Sequence, residues 1–313
     1  MAGTAEHFLR QARYCDGRSP LYASLCRRFA TNPRVLGLVD DPPWDFPLRL
    51  LAGLHYLVLE RRASWADIDR AVEEEHDFLV RFVQERVVQT NEVQRAWALL
   101  PAFLALADGR PLEVLELGPS AGLNLVWDRY RYRYSTGEWG RGPLLLAGDD
   151  RVPPPAELLA KRVDVVRRRG IDLRPVDVTA AEGARLLESF VWADQTARIE
   201  RLRTAIAVLC EDPPALLAGD YVTELPSVLA DRAPGAQLIV FETASTQYLS
   251  REQHERLRES MHHAGRDEPF TYLTTRSAPE DDGYSLKAIE WPSGDERVIL
   301  RLDFHGAWLD YRG

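Results

Sequence analysis

Through the first hundred positions apolar residues recur at three- and four-residue steps and show no sustained alternation by two. The spacing predicts helices over 6–14, 20–30, 48–61, 65–88 and 91–107, with Pro33, Pro42, Pro43 and Pro47 as punctuation. Ser64 is placed to cap the fourth of these, with Asp67 as an acid in its first turn. The pattern then changes. Val114, Leu115 and Leu117 form the short apolar run of a buried parallel strand, which ends in Gly118-Pro119-Ser120-Ala121-Gly122, a sequence that neither helix nor strand carries. Beyond that turn Leu123, Val126, Trp127 and Tyr130 return to helical spacing, so the turn is expected to open a helix with a marked apolar face.

From there strands and helices alternate. Strands are expected at 144–147, 171–176, 215–218 and 238–241, and helices at 157–169, 180–190, 195–209 and 222–231. Such alternation implies right-handed βαβ units and a parallel sheet with helices on both faces. The tail differs, with strands over 270–275, 284–291 and 297–304, the last two joined as a hairpin through 292–296. The fold expected is α/β: an all-helical N-terminal cap over residues 1–110, then a doubly wound Rossmann-like sheet over 111–313 with an antiparallel C-terminal hairpin.

Composition adds exclusions. A chain of 313 residues with 45% hydrophobic content suits one large or two ordinary domains with a packed core. Its 48 acidic and 39 basic residues give a net charge of −9, which argues against a nucleic-acid partner, since such a binder shows a basic face. Arg167-Arg168-Arg169 reads as a solvated helix end. Cys15, Cys26 and Cys210 make no Cys-x-x-Cys set and read as reduced thiols. No basic and apolar leader opens the chain and no apolar run approaches a membrane span, so a cytoplasmic protein with no membrane partner is expected. His262-His263 lack further spaced ligands, so no metal is expected.

The strand and glycine turn at 112–124 are the chemical centre of the chain. Glycines let a backbone approach a ligand closely, a helix N-terminus offers free N–H groups, and Glu116 at the strand's end can take a ligand amine or hydroxyl. Three readings are open. Glu-Leu-Gly-x-x-x-Gly resembles motif I of class I S-adenosylmethionine-dependent methyltransferases; Gly118-x-Ser120-x-Gly122 matches a nucleophile elbow; or the turn is merely tight. An elbow follows several strands whereas a cofactor cradle follows the first, and no strand is expected before Val114. In the cradle reading Glu116, Gly118, Ser120, Ala121, Gly122 and Asn124 hold S-adenosylmethionine. The strand-end carboxylates Asp149, Asp177 and Asp220 are then available to its hydroxyls and amine.

Candidate substrate groups lie just upstream. Gln89, Asn91, Glu92 and Arg95 are either a helix start with a surface ion pair or a polar wall facing the cofactor across the domain boundary. In the second case Arg95 would pair with a substrate carboxylate or phosphate, Glu92 would orient an amine or Arg95 itself, and Glu242 or His305 would stand near the accepting atom. His55, among Leu51, Leu54, Val58 and Leu59, is a hydrogen-bonded core histidine or a substrate contact.

The motifs at 116–124, Trp127-Asp128-Arg129-Tyr130, Gln89-Thr90-Asn91-Glu92-Val93-x-Arg95, Gly170-Ile171-Asp172-Leu173-x-Pro175, Trp192-x-Asp194-Gln195 and His305-Gly306-x-Trp308 together resemble a bacterial family, domain of unknown function 2332. The resemblance spans nearly the whole chain. Its second half is similar to class I methyltransferases, and it brings no known reaction. The chain departs from that pattern at Glu242, where a histidine often stands. The expected function is S-adenosylmethionine-dependent methyl transfer to a small molecule bound between cap and sheet. The alternatives are a serine hydrolase using Ser120 and His305, and a non-catalytic nucleoside-binding protein.

Overall fold

The computed structural model describes residues 2–89, 91–278 and 283–313; Thr90, within the motif that begins at Gln89, lies outside them. Two compact units form: Met1–Asn91 with Asp177–Arg203, and Glu92–Val176 with Thr204–Gly313. This division differs from the expected boundary at 110, because the helix at 95–106 clusters with the sheet and 177–203 returns to the helical unit.

Helices α1 (Ala2–Cys15), α2 (Pro20–Phe29), α3 (Pro33–Leu36), α4 (Phe46–Leu59), α5 (Ile68–Glu74) and α6 (His76–Glu85) fill the first segment. α7 (Arg95–Leu106) and the short α8 (Ala156–Leu159) belong to the sheet unit; α9 (Ala181–Ser189) and the first half of α10 (Thr196–Glu211) belong to the helical one. Phe8 sits edge-on to Phe29 and Phe46 at 6.0 and 5.4 Å in its core. The single helix expected over 65–88 is broken into a 3-10 turn, α5 and α6, since Glu75 leaves helical geometry at φ −109, ψ 23. Ser64 does cap the turn, accepting from the Ala66 N–H at 3.3 Å.

The sheet unit carries β1 (Leu112–Leu117), β2 (Arg131–Tyr134), β3 (Gly137–Gly140), β4 (Leu145–Ala147), β5 (Asp149–Val152), β6 (Val165–Asp172) and β7 (Ala215–Ala218). It continues with α11 (Tyr221–Ala230), β8 (Gln237–Phe241), α12 (Arg251–Asp267), β9 (Phe270–Ala278), β10 (Gly283–Trp291), β11 (Asp295–Leu302) and β12 (Trp308–Tyr311). Among the described residues a nine-stranded mixed sheet runs β5-β12-β11-β10-β9-β8-β1-β6-β7, and a second sheet runs β3-β2-β4. β7, β6, β1, β8 and β9 are parallel neighbours, and β10, β11 and β12 add an antiparallel finish. β1 is buried along its whole length.

Three expectations fail here, each for a physical reason. The stretch after Gly122 is no helix: turns close by Gly122 N–H to Pro119 at 2.9 Å and Leu125 N–H to Gly122 at 3.0 Å, then a single 3-10 turn spans Trp127–Arg129. Ser120 and Gly122 hold φ of 54 and 82, and the carbonyls a helix would use are taken by side chains. The Tyr130 hydroxyl donates to Leu123 and that of Tyr132 to Trp127, at 2.7 and 2.6 Å. The helix expected over 157–169 shrinks to α8, and Arg167-Arg168-Arg169 lies inside β6. Those arginines are tolerated because each finds a carboxylate: Arg167 meets Asp231 and Arg168 meets Asp128, both at 2.5 Å, and Arg169 meets the buried Glu113. The strand at 144–147 exists as β4, but it pairs with β2 in the small sheet rather than joining the parallel one.

Candidate functional site

The five parallel strands, counted along the chain as first (β1) to fifth (β9), lie in the order third, second, first, fourth, fifth. The order reverses between β1 and β8, and in open α/β sheets ligands bind outside the carboxyl ends of the strands at such a switch point. Along this end of the parallel strands stand Glu116, next to last in β1, Gly118 just after it, Asp172 at the end of β6, Asp220 after the edge strand β7 and Glu242 after β8.

Glu116 is buried, with one carboxyl oxygen without a partner. Burial drives its pKa up to about 8; a hydrogen bond from Asn124 and the charge of Arg95 pull against this, and Asp172 and Glu242 add to it. The Asn124 Oδ1 is likewise buried and unpaired. The loop itself is clamped to β6. Asp172 accepts from the Ser120 and Arg174 N–H groups at 2.8 Å each, and the Ser120 carbonyl accepts from Val176 at 3.1 Å. Asp172 escaped the sequence reading because the end of its strand was set at 176 and Asp177 was named instead. The signal available was its two-residue offset from Gly170 in the family motif.

The glycines serve the protein's own packing. A Cβ on Gly118 would stand 2.6 Å from the Ser245 Cβ, and the Ser245 hydroxyl donates to the Leu117 carbonyl at 2.7 Å. A Cβ on Gly122 would meet Pro214 at 2.9 Å. Ala121 is buried behind them.

Arg95, at the start of α7, is 6% exposed. Its Nε donates to the Phe304 carbonyl at 2.8 Å and its Nη1 to the Thr243 carbonyl at 3.2 Å, and its guanidinium lies 4.4 Å from the Phe304 ring centre. Burial pushes its pKa down, opposed by Glu92, Glu116 and Glu242 in that order. Glu242 is fully buried: one oxygen accepts from the Thr274 hydroxyl at 2.6 Å and the Thr275 N–H at 2.9 Å, the other from the Thr246 N–H at 3.3 Å. Glu92 is buried and accepts from the Gln94 N–H at 3.1 Å. Arg95, Glu92, Glu116, Asn124, Asp172 and Glu242 therefore form one electrostatic neighbourhood in the sheet unit.

Other candidates lie elsewhere. Asp149 is exposed on β5, at the far edge of the sheet, beside Arg151 at 3.3 Å. Asp177 belongs to the helical unit, where the Thr179 hydroxyl and N–H hold it and lower its pKa. Asp220 caps α11, accepting from Val222 at 2.9 Å. His55 is buried in the helical unit with Nδ1 at 2.9 Å from the Val191 carbonyl, and burial lowers its pKa. Gln89 and Asn91 are half-buried and also fall in the helical unit. His305 is half-buried, its ring edge-on to Phe304 at 5.0 Å. Next to it, Gly306 (φ 78) has no room for a Cβ, which would come 2.5 Å from the Gln94 carbonyl, and Gln94 Nε2 donates to the Ala147 carbonyl at 2.9 Å. Gln94, Thr243, Tyr284 and Phe304 were not foreseen. Only the His-Gly-x-Trp motif pointed at this turn.

Fold and site thus define a mixed α/β protein with acidic side chains gathered at the carboxyl end of its first parallel strand. The chain belongs to the family of uncharacterized proteins conserved in bacteria, domain of unknown function 2332, whose model matches residues 5–311. Neither a curated protein nor a solved structure matches it. Among the described residues no helix is long and apolar enough to cross a membrane, and no cluster of His, Cys, Asp or Glu could hold a metal ion.

Proposed function

We propose that the sheet unit binds S-adenosylmethionine at the carboxyl end of β1 and transfers its methyl group to a small molecule. The observation that carries this reading is the pair of buried, unpartnered acceptors, Glu116 Oε2 and Asn124 Oδ1, at the switch point of a third-second-first-fourth-fifth parallel sheet. Unpaired buried acceptors ask for donors, and an amino-acid nucleoside brings an ammonium and hydroxyls. An acid-rich rim also favours a sulfonium cation. Exposed Leu173 and Tyr248, just beyond β6 and β8, add apolar surface at the same end. In this reading Glu116 and Asn124 hold the cofactor, while His305 is the candidate to take the acceptor's proton.

S-adenosylhomocysteine is expected to bind and raise stability by about 2.7 kcal/mol at a hundredfold excess over Kd, seen as a thermal shift and confirmed by calorimetry. No shift at millimolar ligand counts heavily against the cofactor. Binding without methyl transfer to any acceptor would leave the non-catalytic nucleoside binder.

The hydrolase reading keeps one observation in its favour: Ser120 holds φ 54, the strained backbone an elbow serine needs. Against it, no helix follows, and the Ser120 backbone is tied to Asp172 and Val176. Ser120→Ala is expected to leave most activity intact, whereas a nucleophile would lose several powers of ten. Labelling of Ser120 by a fluorophosphonate would reverse the preference.

A further inference from the structure

We propose that the pocket beside Arg95 is a subsite for the carboxylate of a small aromatic monoanion. Arg95, Thr243, Ala244, Thr275, Tyr284 and Phe304 line it, with Leu302 behind, around an enclosed space of about 10 Å³. All of these residues lie in the sheet unit, over the ends of β8 to β11. As the acceptor subsite of the transfer it rests on the reading above; anion binding itself does not.

The guanidinium supplies the first reason. Its Nε and Nη1 are spent on the Phe304 and Thr243 carbonyls, which fix the plane of the group, while Nη2 is buried with no partner. A buried N–H of a cation left unpaired is costly, and a carboxylate answers it with a charge-assisted bond. Thr243 adds a hydroxyl, 3.4 Å from Nη1. Ala244, at φ 72, makes the sharp turn that brings the Thr243 carbonyl to Arg95.

Charge and shape narrow the ligand. Glu92, Glu116 and Glu242 already act on Arg95, so a second negative charge on the ligand meets repulsion that a monoanion avoids. That places a monocarboxylate ahead of a phosphate. The Tyr284 and Phe304 rings meet at 5.1 Å, tilted by 43°, and with Leu302 they offer an apolar aromatic wall. The enclosed space, about 10 Å³, is of the order of one water and takes only the carboxylate head, so the ring of the ligand lies against the Tyr284 and Phe304 wall at the mouth.

The test uses the full chain without cofactor, with benzoate, benzamide and inorganic phosphate as probes in ligand-observed NMR and calorimetry. Benzoate is expected to bind at least about tenfold more tightly than benzamide, its uncharged counterpart, and more tightly than phosphate. Arg95→Gln is expected to abolish that preference. Because Arg95 also ties Phe304 and Thr243, a second variant, Tyr284→Trp, fills the pocket while leaving the guanidinium in place. It is expected to weaken benzoate at least about tenfold and to leave the melting temperature and S-adenosylhomocysteine affinity unchanged. Equal affinity for benzoate and benzamide, tighter binding of phosphate, absence of binding, or benzoate affinity untouched by Tyr284→Trp each overturns the proposal. Loss of S-adenosylhomocysteine binding with the benzoate preference intact overturns only the cofactor reading.

Discussion

Glu242→Ala is expected to lower the unfolding free energy by about 3–5 kcal/mol, measured by urea denaturation at neutral pH. The substitution would orphan three donors. The Glu242 carboxylate accepts from the Thr274 hydroxyl and from the backbone N–H groups of Thr275 and Thr246, all at a fully buried position between β8 and β9. Each buried donor left without a partner costs about 1–3 kcal/mol, and the three do not relax independently because Thr274 and Thr275 are strand neighbours. Arg95 would also lose one of the carboxylates that offset its burial. Glu242 therefore joins the end of β8 to β9 and to the 3-10 turn at Ser245–Tyr248. A variant that loses less than about 1 kcal/mol while activity disappears would show instead that the carboxylate serves chemistry rather than the fold.

The same residue shows what the sequence could and could not disclose. Glu242 stood out because a strong apolar strand ran into it, and that local signal located the strand correctly. Its partners, Thr274 and Thr275, lie some thirty positions away on a strand whose register is set by pairing, which no local pattern encodes. β1 and β8 were legible for the same reason: their apolar runs are short, buried and bounded by turn residues. β6 was hidden because three of its residues are arginines, acceptable in a strand only through Asp231, Asp128 and Glu113, acids far off in sequence. α12 was not foreseen: only its Leu257, Met261 and Gly265 are buried, so its apolar stripe is thin, and its start is held by a capping box between Ser250 and Gln253. The segment after Gly122 has helical spacing, but tyrosine hydroxyls take its carbonyls.

At the site, Glu116, Arg95 and Glu242 could be named from sequence because each adjoins a recognisable element. Thr243, Tyr284 and Phe304 could not, since they meet Arg95 only through the sheet's strand order, and Asp172 was passed over because the end of its strand was set at 176. The order that brings β8 beside β1, and β9 to β11 beyond it, is the step that turns scattered polar residues into one neighbourhood.

The contribution of Glu116 to stability is expected to fall as pH rises from about 4.5 to about 8, and Glu116→Gln is expected to remove that fall from the profile. The folded-state pKa of Glu116 is raised from 4.5 to about 8, first by burial. Below 4.5 the folded and unfolded chains both hold the proton, and this contribution to stability is fully present. Between the two values the unfolded chain releases the proton while the folded chain keeps it, so stability declines by up to about 1.4 kcal/mol per pH unit. Above about 8 both forms are ionised and the full penalty, on the order of 4–5 kcal/mol, has been incurred. Glutamine keeps the shape and cannot ionise, so the variant should match wild type at pH 4.5 and exceed it at pH 9. Chemical denaturation of both proteins at half-unit steps reads the difference directly, and parallel profiles would sink the assignment. The same group couples to the proposed cofactor. A cation placed against Glu116 favours its ionised form, so S-adenosylmethionine should bind near pH 7 with release of a proton. Calorimetry in buffers of different ionisation enthalpy counts that proton, and Glu116→Gln should abolish it; release undiminished in the variant would place the titrating group elsewhere.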